Sequence, residues 1–338
     1  VADAFGVRSG AQVSLPLLLN DHDPNKKDVL SISADATATG LSDPAFGTLG
    51  LASNNQQAVV TVTGSSGSAT FSYAVTDGAA VSEPAPVTLT IVPDDQNSAP
   101  VWCGIDACKQ VWPSPQISPG GTVTIPVLTG WVDPEGDPFV LSDARAENDS
   151  DPVSVVATSD GRVAVRHNDP NAPASAISIV VTVTDSRGAS AEKVLVVSVS
   201  SSPALDVAPV VVVAGAGEKA TVRVADHVTG GSGAYRVLDA VASSSSSSLL
   251  VVPNAAAGTV ELTAVTPGEY LVTYSVQDAT TLAEQSSIIR LTVPEEGAPL
   301  TIPPVTAFVR ANEDTTIDMV GAVQNSTGRV LIVSQVTS

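Results

Sequence analysis

Large aromatic side chains and methionine are scarce in this chain. Of its 338 residues, 4% are aromatic and one is methionine, although 43% are hydrophobic. Val, Ile, Leu and Ala must therefore pack the interior, and the β-branched residues among them favour strands. The 25 glycines and 24 prolines supply turns and interrupt helices. Because no stretch shows a sustained helical period, the composition predicts an all-β fold.

Basic residues are also few, with 15 Lys and Arg against 35 Asp and Glu, so that the formal net charge is −20. Nucleic acid is not expected as a partner, because phosphate binding needs clustered basic side chains. Long hydrophobic runs are missing as well, and no segment approaches the roughly 20 apolar residues that span a bilayer. We expect no membrane segment in this stretch and expect any anchor to lie outside it.

Cysteine occurs only twice, at Cys103 and Cys108, with a glycine among the four residues between them. Such a loop can fold back far enough to bring the two α-carbons within disulfide reach. No further ligand nearby completes a metal site. We therefore favour a small loop disulfide over two free thiols, which indicates an oxidising, extracellular setting.

Two distant stretches of the chain follow the same pattern. Residues 128–144 read LTGWVDPEGDPFVLSDA, and residues 18–34 read LLNDHDPNKKDVLSISA. Each has an apolar run, an acidic turn with Asp-Pro, and then alternating apolar residues, which predicts a strand, a rigid loop and a strand. Asp133 and Asp23 hold the same place at a spacing of 133 − 23 = 110 residues. A period of this length indicates repeated whole domains.

Ala-Pro followed by an apolar residue recurs at Ala99, Ala208 and Ala298, each time after a polar or Gly- and Pro-bearing stretch. We interpret these positions as domain boundaries. The predicted repeats are 1–98, 99–207 with a cysteine-loop insertion, 208–297, and a partial fourth repeat at 298–338. The partial repeat is too short to bury a sandwich core alone, which favours a fragment of a longer array.

A strand that ends in Asp lies near the end of each of the first three repeats, before a short turn and a last alternating strand. It reads FSYAVTD at 71–77, IVVTVTD at 179–185 and VTYSVQD at 272–278. An alternating strand led by a glycine, at Gly10, Gly121 and Gly217, precedes the acidic turn or its counterpart in each repeat. The order of boundary, glycine-led strand, acidic turn and Asp-terminated strand resembles the tandem bacterial Ig-like and cadherin-like repeats of large surface proteins. The composition is similar to that of such proteins from high-GC Gram-positive bacteria. The resemblance implies tandem Greek-key β-sandwiches in an extended array at the cell surface.

The acidic turns are candidate calcium sites. Hard oxygen ligands at short spacing, which Ca²⁺ prefers, occur at Asn20, Asp21, Asp23, Asp28, Asp133, Glu135 and Asp137. The resemblance to cadherin-like repeats adds Asp77 and Asp185, which end later strands, as further ligands. The alternative is a solvated turn in which Asp and Pro fit the dihedral angles. The third repeat has Gly-Gly-Ser-Gly at 230–233 instead, so an acidic turn is not needed for folding.

Trp102 and Trp112 flank the cysteine loop. We favour a role as a wedge between adjacent domains, and the alternative is a surface that stacks on a sugar ring or contacts a protein. The three histidines, His22, His167 and His227, lie in loops of different repeats, where we expect exposed side chains rather than a shared catalytic triad or zinc site.

Taken together, these patterns predict a protein that is not an enzyme. We predict a non-catalytic extracellular stalk or adhesion module of a bacterial cell-surface protein. Its predicted partners are the other repeats of the chain, with a host or cell-wall protein or glycan as a candidate. The alternatives are a specific adhesin that uses the tryptophan loop and a carbohydrate- or protein-binding accessory segment of a secreted enzyme.

Overall fold

The computed structural model describes residues 1–25, 28–52, 55–243, 247–295, 304–307, 309, 317, 319 and 332–335. These residues form β-strands and two short 3-10 helices, at Leu17–Leu19 and Val224–His227, which confirms the all-β prediction. Their buried apolar side chains form three separate cores, one for each of three successive sandwiches. The predicted partial repeat at 298–338 lies outside the described residues, apart from isolated positions. In the described part, no helix has the length and hydropathy of a membrane span.

The first sandwich consists of eight short strands among the described residues. They are β1 Asp3–Val7, β2 Gln12–Leu15, β3 Ser31–Ile32, β4 Gly47–Leu51, β5 Ala58–Val62, β6 Ser68–Tyr73, β7 Val75–Thr76 and β8 Ala85–Ile91. One sheet has the order β1-β8-β6, the facing sheet has the order β2-β5-β4, and β3 pairs with β7. Every second residue of β8 is buried, as the period-two pattern of the sequence predicts.

The second sandwich is larger, and its strands are longer. They are β9 Val101–Trp102, β10 Gln116–Ile117, β11 Thr122–Pro126, β12 Trp131–Val132, β13 Phe139–Ala146, β14 Val153–Ala157, β15 Arg162–His167, β16 Ser175–Asp185 and β17 Ser190–Val199. The sheets have the orders β10-β17-β16-β13 and β11-β15-β14, and β12 pairs with β9. His167 is buried at the end of β15, where it bonds the Asp169 carbonyl, and is not the exposed loop residue that its sequence context suggests.

The third sandwich repeats the arrangement of the second. Its strands are β18 Asp206–Val207, β19 Val210–Val213, β20 Lys219–Arg223, β21 Val228–Thr229, β22 Tyr235–Ala242, β23 Leu249–Asn254, β24 Thr259–Ala264, β25 Gly268–Asp278 and β26 Glu284–Val293. The sheets have the orders β19-β26-β25-β22 and β20-β24-β23. Leu205 and Val207 already pack in this core, so the sandwich begins a few residues before the predicted boundary at Ala208.

The three sandwiches share one topology. An early strand pairs in parallel with the last strand in each of them, as β1 with β8, β10 with β17 and β19 with β26. The neighbouring strand order is non-sequential, as in a Greek key. The register of β13 against β16 shifts between Leu141 and Asp143, and that of β22 against β25 shifts at the equivalent step, between Val237 and Asp239. Tandem Greek-key sandwiches are therefore confirmed.

The second sandwich packs along strand β1 of the first. A Cβ at Gly6 would lie 2.1 Å from the Pro134 carbonyl oxygen, so only glycine permits this approach. Val132, on β12, is buried in the core cluster of the first sandwich. Ala204, ahead of the third sandwich, donates its N–H to Gln116 Oε1 of the second at 3.0 Å.

The third sandwich also contacts the first, so contacts are not limited to sandwiches that are adjacent in the chain. The fully buried Arg290 on β26 pairs with Glu269 and donates to the carbonyls of Val29 and Thr76. Ser31 donates its hydroxyl to the same Glu269 at 3.2 Å. A buried guanidinium needs hydrogen-bond acceptors, and the first sandwich supplies two of them, from the loop at Val29 and from β7 at Thr76, whereas Arg290 Nε has no partner among the described residues.

Candidate functional site

The acidic turn of the second sandwich lies buried against the first sandwich. Asp133, Glu135 and Asp137 are only 5%, 6% and 6% exposed, and one oxygen of each lies within 4.8 Å of the others. The turn forms locally, because Asp133 Oδ1 accepts the N–H groups of Glu135 and Asp137 at 3.0 and 2.9 Å. Gly136 adopts the left-handed conformation (φ 75°) that closes the turn.

Arg8 supplies the positive charge that faces this turn. Its Nη2 lies 2.6 Å from Asp137 Oδ2, and its Nε lies 3.1 and 3.2 Å from the two oxygens of Asp137. The other N–H groups of Arg8 bond the carbonyls of Pro93 and Gln96 at 2.6 and 2.7 Å. Arg187 adds a longer contact, with Nε 3.4 Å from Asp137 Oδ2. The Arg8 guanidinium thereby joins the first sandwich, the linker between the sandwiches (at Pro93 and Gln96) and the second sandwich.

Linker residues satisfy two further carboxylates of the junction. Glu135 accepts the backbone N–H and the hydroxyl of Ser98 at 2.9 and 2.8 Å. Asn97 donates its side-chain amide to Asp185 Oδ2 at 3.1 Å. The other oxygen of Asp185 accepts the N–H groups of Arg187 and Ala189 in its own turn. The carboxylates of Glu135 and Asp185 thus hold the linker at Ser98 and Asn97. From the sequence alone, these two residues are recognisable only as acidic.

One oxygen of the junction is left without a partner. Asp133 Oδ2 is buried and has no hydrogen-bond partner among the described residues. Burial raises the pKa of Asp133 to about 6, the N–H bonds from Asp137 and Glu135 oppose this rise, and the charges of those two side chains add to it. A carboxylate with a free buried oxygen can take up a proton or a cation.

The first sandwich divides its five candidate ligands between two places. Asp23, Asp28 and Asp77 lie together, with carboxylate oxygens within 4.8 Å of one another. Asp77 also caps its own turn, accepting the N–H groups of the residues at 79 and 80, and these bonds lower its pKa below the usual value. Asn20 and Asp21 do not join this group, because their side chains bond elsewhere.

Asn20 and Asp21 belong to a buried polar network that the sequence analysis does not predict. The Tyr73 hydroxyl lies 2.8 Å from Asp3 Oδ2 and 2.8 Å from Asp21 Oδ2, and Asn20 donates to Asp3 Oδ1 at 2.8 Å. Burial raises the pKa values of both Asp3 and Tyr73. The available signal was the alternation of β1, in which Asp3 shares the inward face with Phe5.

The third sandwich shows what the strand-ending Asp does without an acidic turn. Asp278 accepts the N–H groups of Thr280 and Thr281 through one oxygen and that of Ser232 through the other. Burial acts to raise its pKa, but these bonds lower the pKa below the usual value. The backbone N–H of Ser232, in the Gly-rich loop, thus faces the carboxylate here. The Asp at the end of this strand caps a turn in all three sandwiches.

The model of the bacterial Ig domain matches residues 1–90 and 97–198, which together make up more than half of the chain. The chain belongs to the bacterial Ig domain family. The two matched regions coincide with the first and second sandwiches, which are therefore Ig domains. The third sandwich lies outside the match and resembles them in topology. No curated protein matches the chain.

Several solved structures resemble the chain at low identity. An endo-fucoidan hydrolase of glycoside hydrolase family 107 is 15% identical, with a TM-score of 0.25, 85% of this chain covered and 42% of that chain. The Drosophila N-cadherin EC1-3 fragment is 13% identical, with a TM-score of 0.28 and coverage of 86% and 98%. A SusE-like surface-located polysaccharide-binding protein of Bacteroides thetaiotaomicron is 12% identical, with a TM-score of 0.25 and coverage of 86% and 60%. The chain thus spans less than half of the fucoidan hydrolase.

The tryptophans pack against the core of the second Ig domain, with Trp131 buried and Trp102 and Trp112 partly buried, and their role as a wedge between domains stays a prediction. Trp102, Trp112 and Trp131 meet edge to face, with ring centroids 4.7 to 6.4 Å apart. Lys193 Nζ lies 5.8 and 5.1 Å from the rings of Trp102 and Trp112. The Trp112 indole donates to the Val194 carbonyl. The rings are held by one another and by this domain's core, because Gly130 leaves room for Trp102.

The cysteine loop, which Trp102 and Trp112 flank, reaches the first Ig domain. Cys103 and Cys108 form a disulfide with the α-carbons 5.5 Å apart, as predicted. Ile105, within the loop, packs against the core of the first Ig domain. An aliphatic side chain of the loop thus lies between the first two Ig domains.

Proposed function

We propose that this chain is a non-catalytic module of a bacterial cell-surface protein, in which the first two Ig domains form a fixed unit of a stalk or adhesion segment. Membership of the bacterial Ig domain family supports this proposal. The disulfide between Cys103 and Cys108 supports an extracellular location, since such bonds persist in oxidising environments. The proposed partners are the neighbouring repeats and a host or cell-wall protein or glycan.

The observation that carries the proposal is the buried ion pair between Arg8 and Asp137. The two side chains are each 5% exposed, and the pair is bidentate, which fixes direction as well as distance. Removing one partner of such a pair leaves a buried charge uncompensated, at a cost of about 3 to 5 kcal/mol. A junction of this kind holds two domains at one angle, as a spacer requires.

The test compares Arg8→Gln with Arg145→Gln in the full chain. Arg145 is half-exposed and pairs with Asp143 and Glu192 within the second Ig domain alone. Small-angle scattering should show a broader range of dimensions for Arg8→Gln and an unchanged profile for Arg145→Gln. Identical profiles for both variants and the natural chain would contradict a junction fixed by Arg8.

A second candidate function is that of a binding segment. A groove of about 870 Å³ opens between the second Ig domain and the third sandwich, and Arg162, His227 and Tyr235 are among its lining residues. Its volume falls in the range of small-ligand sites. A screen of glycans and matrix proteins with the full chain tests this function. Binding lost in Tyr235→Ala favours the groove, binding lost in Trp112→Ala favours an adhesin, and no binding favours the spacer.

We also propose calcium as the ligand of the acidic turns. The free Asp133 Oδ2 supports a cation at the second Ig domain, where Arg8 already neutralises Asp137. Asp133 and Glu135 would hold the ion there, and Ca²⁺ would supply the positive charge that the cluster lacks. Isothermal titration of the natural chain and of Asp133→Asn with CaCl₂ tests this proposal, and equal heats for the two proteins would exclude Asp133 as a ligand.

A further inference from the structure

The cysteine loop is anchored at its start to the second Ig domain. Cys103 donates its N–H to the Gly130 carbonyl at 2.8 Å, next to the β9–β12 pairing. Cys103 and Ala107 have φ values of 54° and 55°. Non-glycine residues seldom adopt this left-handed conformation. The disulfide between Cys103 and Cys108 closes the loop and thus holds Cys103 and Ala107 in the left-handed conformation, from which they would relax in a loop without this bond.

The same loop reaches the first Ig domain with three different contacts. Ile105 packs against the apolar core of that domain. The backbone N–H of Lys109 donates to the Leu19 carbonyl at 2.8 Å. Asn20, which is fully buried, donates its side-chain amide to the Asp106 carbonyl at 3.1 Å. These contacts lie within five residues, so they depend together on the conformation of the loop.

We propose that residues 103–109 are a redox-sensitive clasp between the first and second Ig domains. A dithiol reductant breaks the S–S bond, transfers two electrons and two protons to the sulfurs of Cys103 and Cys108, and is itself oxidised to a disulfide. The opened loop then relaxes to ordinary backbone angles, and its contacts with the first Ig domain are lost.

The second Ig domain does not depend on the clasp for its own fold. The longest pairing of its sheets joins β16 to β17 over ten residue pairs, from Ser175 with Val199 to Thr184 with Ser190. The buried side chains of its core, such as Val163 and Leu195, follow the loop in the chain, and Trp102, which precedes the loop and packs against this core, is only partly buried. Reduction should therefore separate the domains locally and leave both sandwiches folded.

Hydrogen exchange of the full chain, measured by mass spectrometry with and without dithiothreitol, tests the proposal. Peptides that contain Lys109 should exchange about tenfold faster on reduction, which corresponds to the loss of about 1.4 kcal/mol of local protection. Peptides from β16 and β17 should not change. Unchanged exchange at Lys109 would overturn the proposal. Faster exchange throughout β16 and β17 would also overturn it, because the disulfide would then stabilise the fold of the whole second Ig domain and not only the clasp.

A matched pair of variants separates the clasp from general effects on the loop region. Ile105→Ala removes the side chain that packs on the first Ig domain, whereas Val111→Ala changes a side chain that is 86% exposed. With the disulfide intact, Ile105→Ala should speed exchange at Lys109 by about tenfold because its apolar contact is lost. Val111→Ala should leave it unchanged, and equal effects of the two variants would overturn the proposal.

Discussion

Replacing Asp133 by asparagine should stabilise the second Ig domain at neutral pH when no metal is present. Asparagine keeps the oxygen that accepts the N–H groups of Glu135 and Asp137, and it places an uncharged amide nitrogen where the carboxylate oxygen has no partner among the described residues. The pKa of Asp133 is raised from 3.8 to about 6. At about 1.4 kcal/mol for each of roughly two units, the ionised form costs the folded state about 2 to 3 kcal/mol.

The sign of the pH dependence follows from proton binding. Between pH 3.8 and about 6, the folded state holds the Asp133 proton more tightly than the unfolded state does. The contribution of Asp133 to the free energy of unfolding therefore falls as pH rises through this window, and the cost is complete above it. The advantage of Asp133→Asn should be small near pH 4 and reach its full value at pH 7.

Urea unfolding followed by tryptophan fluorescence measures this difference in the right domain, because all three tryptophans of the chain belong to the second Ig domain. Asp143→Asn is the matched control, since Asp143 lies on β13 of the same domain and its side chain is 51% exposed. In buffer with a chelator, equal stabilities of Asp133→Asn and the natural chain at pH 7 would refute the reasoning. If calcium binds at Asp133, millimolar CaCl₂ should stabilise the natural chain and not the variant.

Two further substitutions test the contacts of the first Ig domain. Gly6→Ala places a methyl group against the Pro134 carbonyl, whereas Gly40→Ala meets no described atom within 4 Å. We expect about 1 to 3 kcal/mol of destabilisation for Gly6→Ala, with faster hydrogen exchange at residues 131–137, and neither effect for Gly40→Ala. Tyr73→Phe removes the hydroxyl shared by Asp3 and Asp21, and should lower the free energy of unfolding by about 1 to 3 kcal/mol in calorimetry. An unchanged transition would rule out a stabilising role for that hydroxyl.

The acidic turn of the second Ig domain was predictable as a local structure. Asp-Pro and Gly136 specify its backbone, and Asp133 bonds N–H groups two and four residues away. The function of the turn was harder to predict from the sequence, because solvated turns and metal sites contain the same types of residue. The strand-ending Asp77 and Asp185 were assigned to calcium through a resemblance, and in the structure each of them caps its own turn.

The sequence by itself determined the strands, their buried faces and the tandem arrangement of the domains, because the alternation of apolar residues and the preferences of turn residues act over a few positions. It also determined the short disulfide, since Cys103 and Cys108 lie five positions apart. Only the tertiary structure decided which charges meet. Arg8 and Asp137 are 129 positions apart, and neither carries a local signal for the other. Their pairing depends on how the two domains pack, and the close approach at Gly6 and the contact of Ile105 in the cysteine loop are part of that packing.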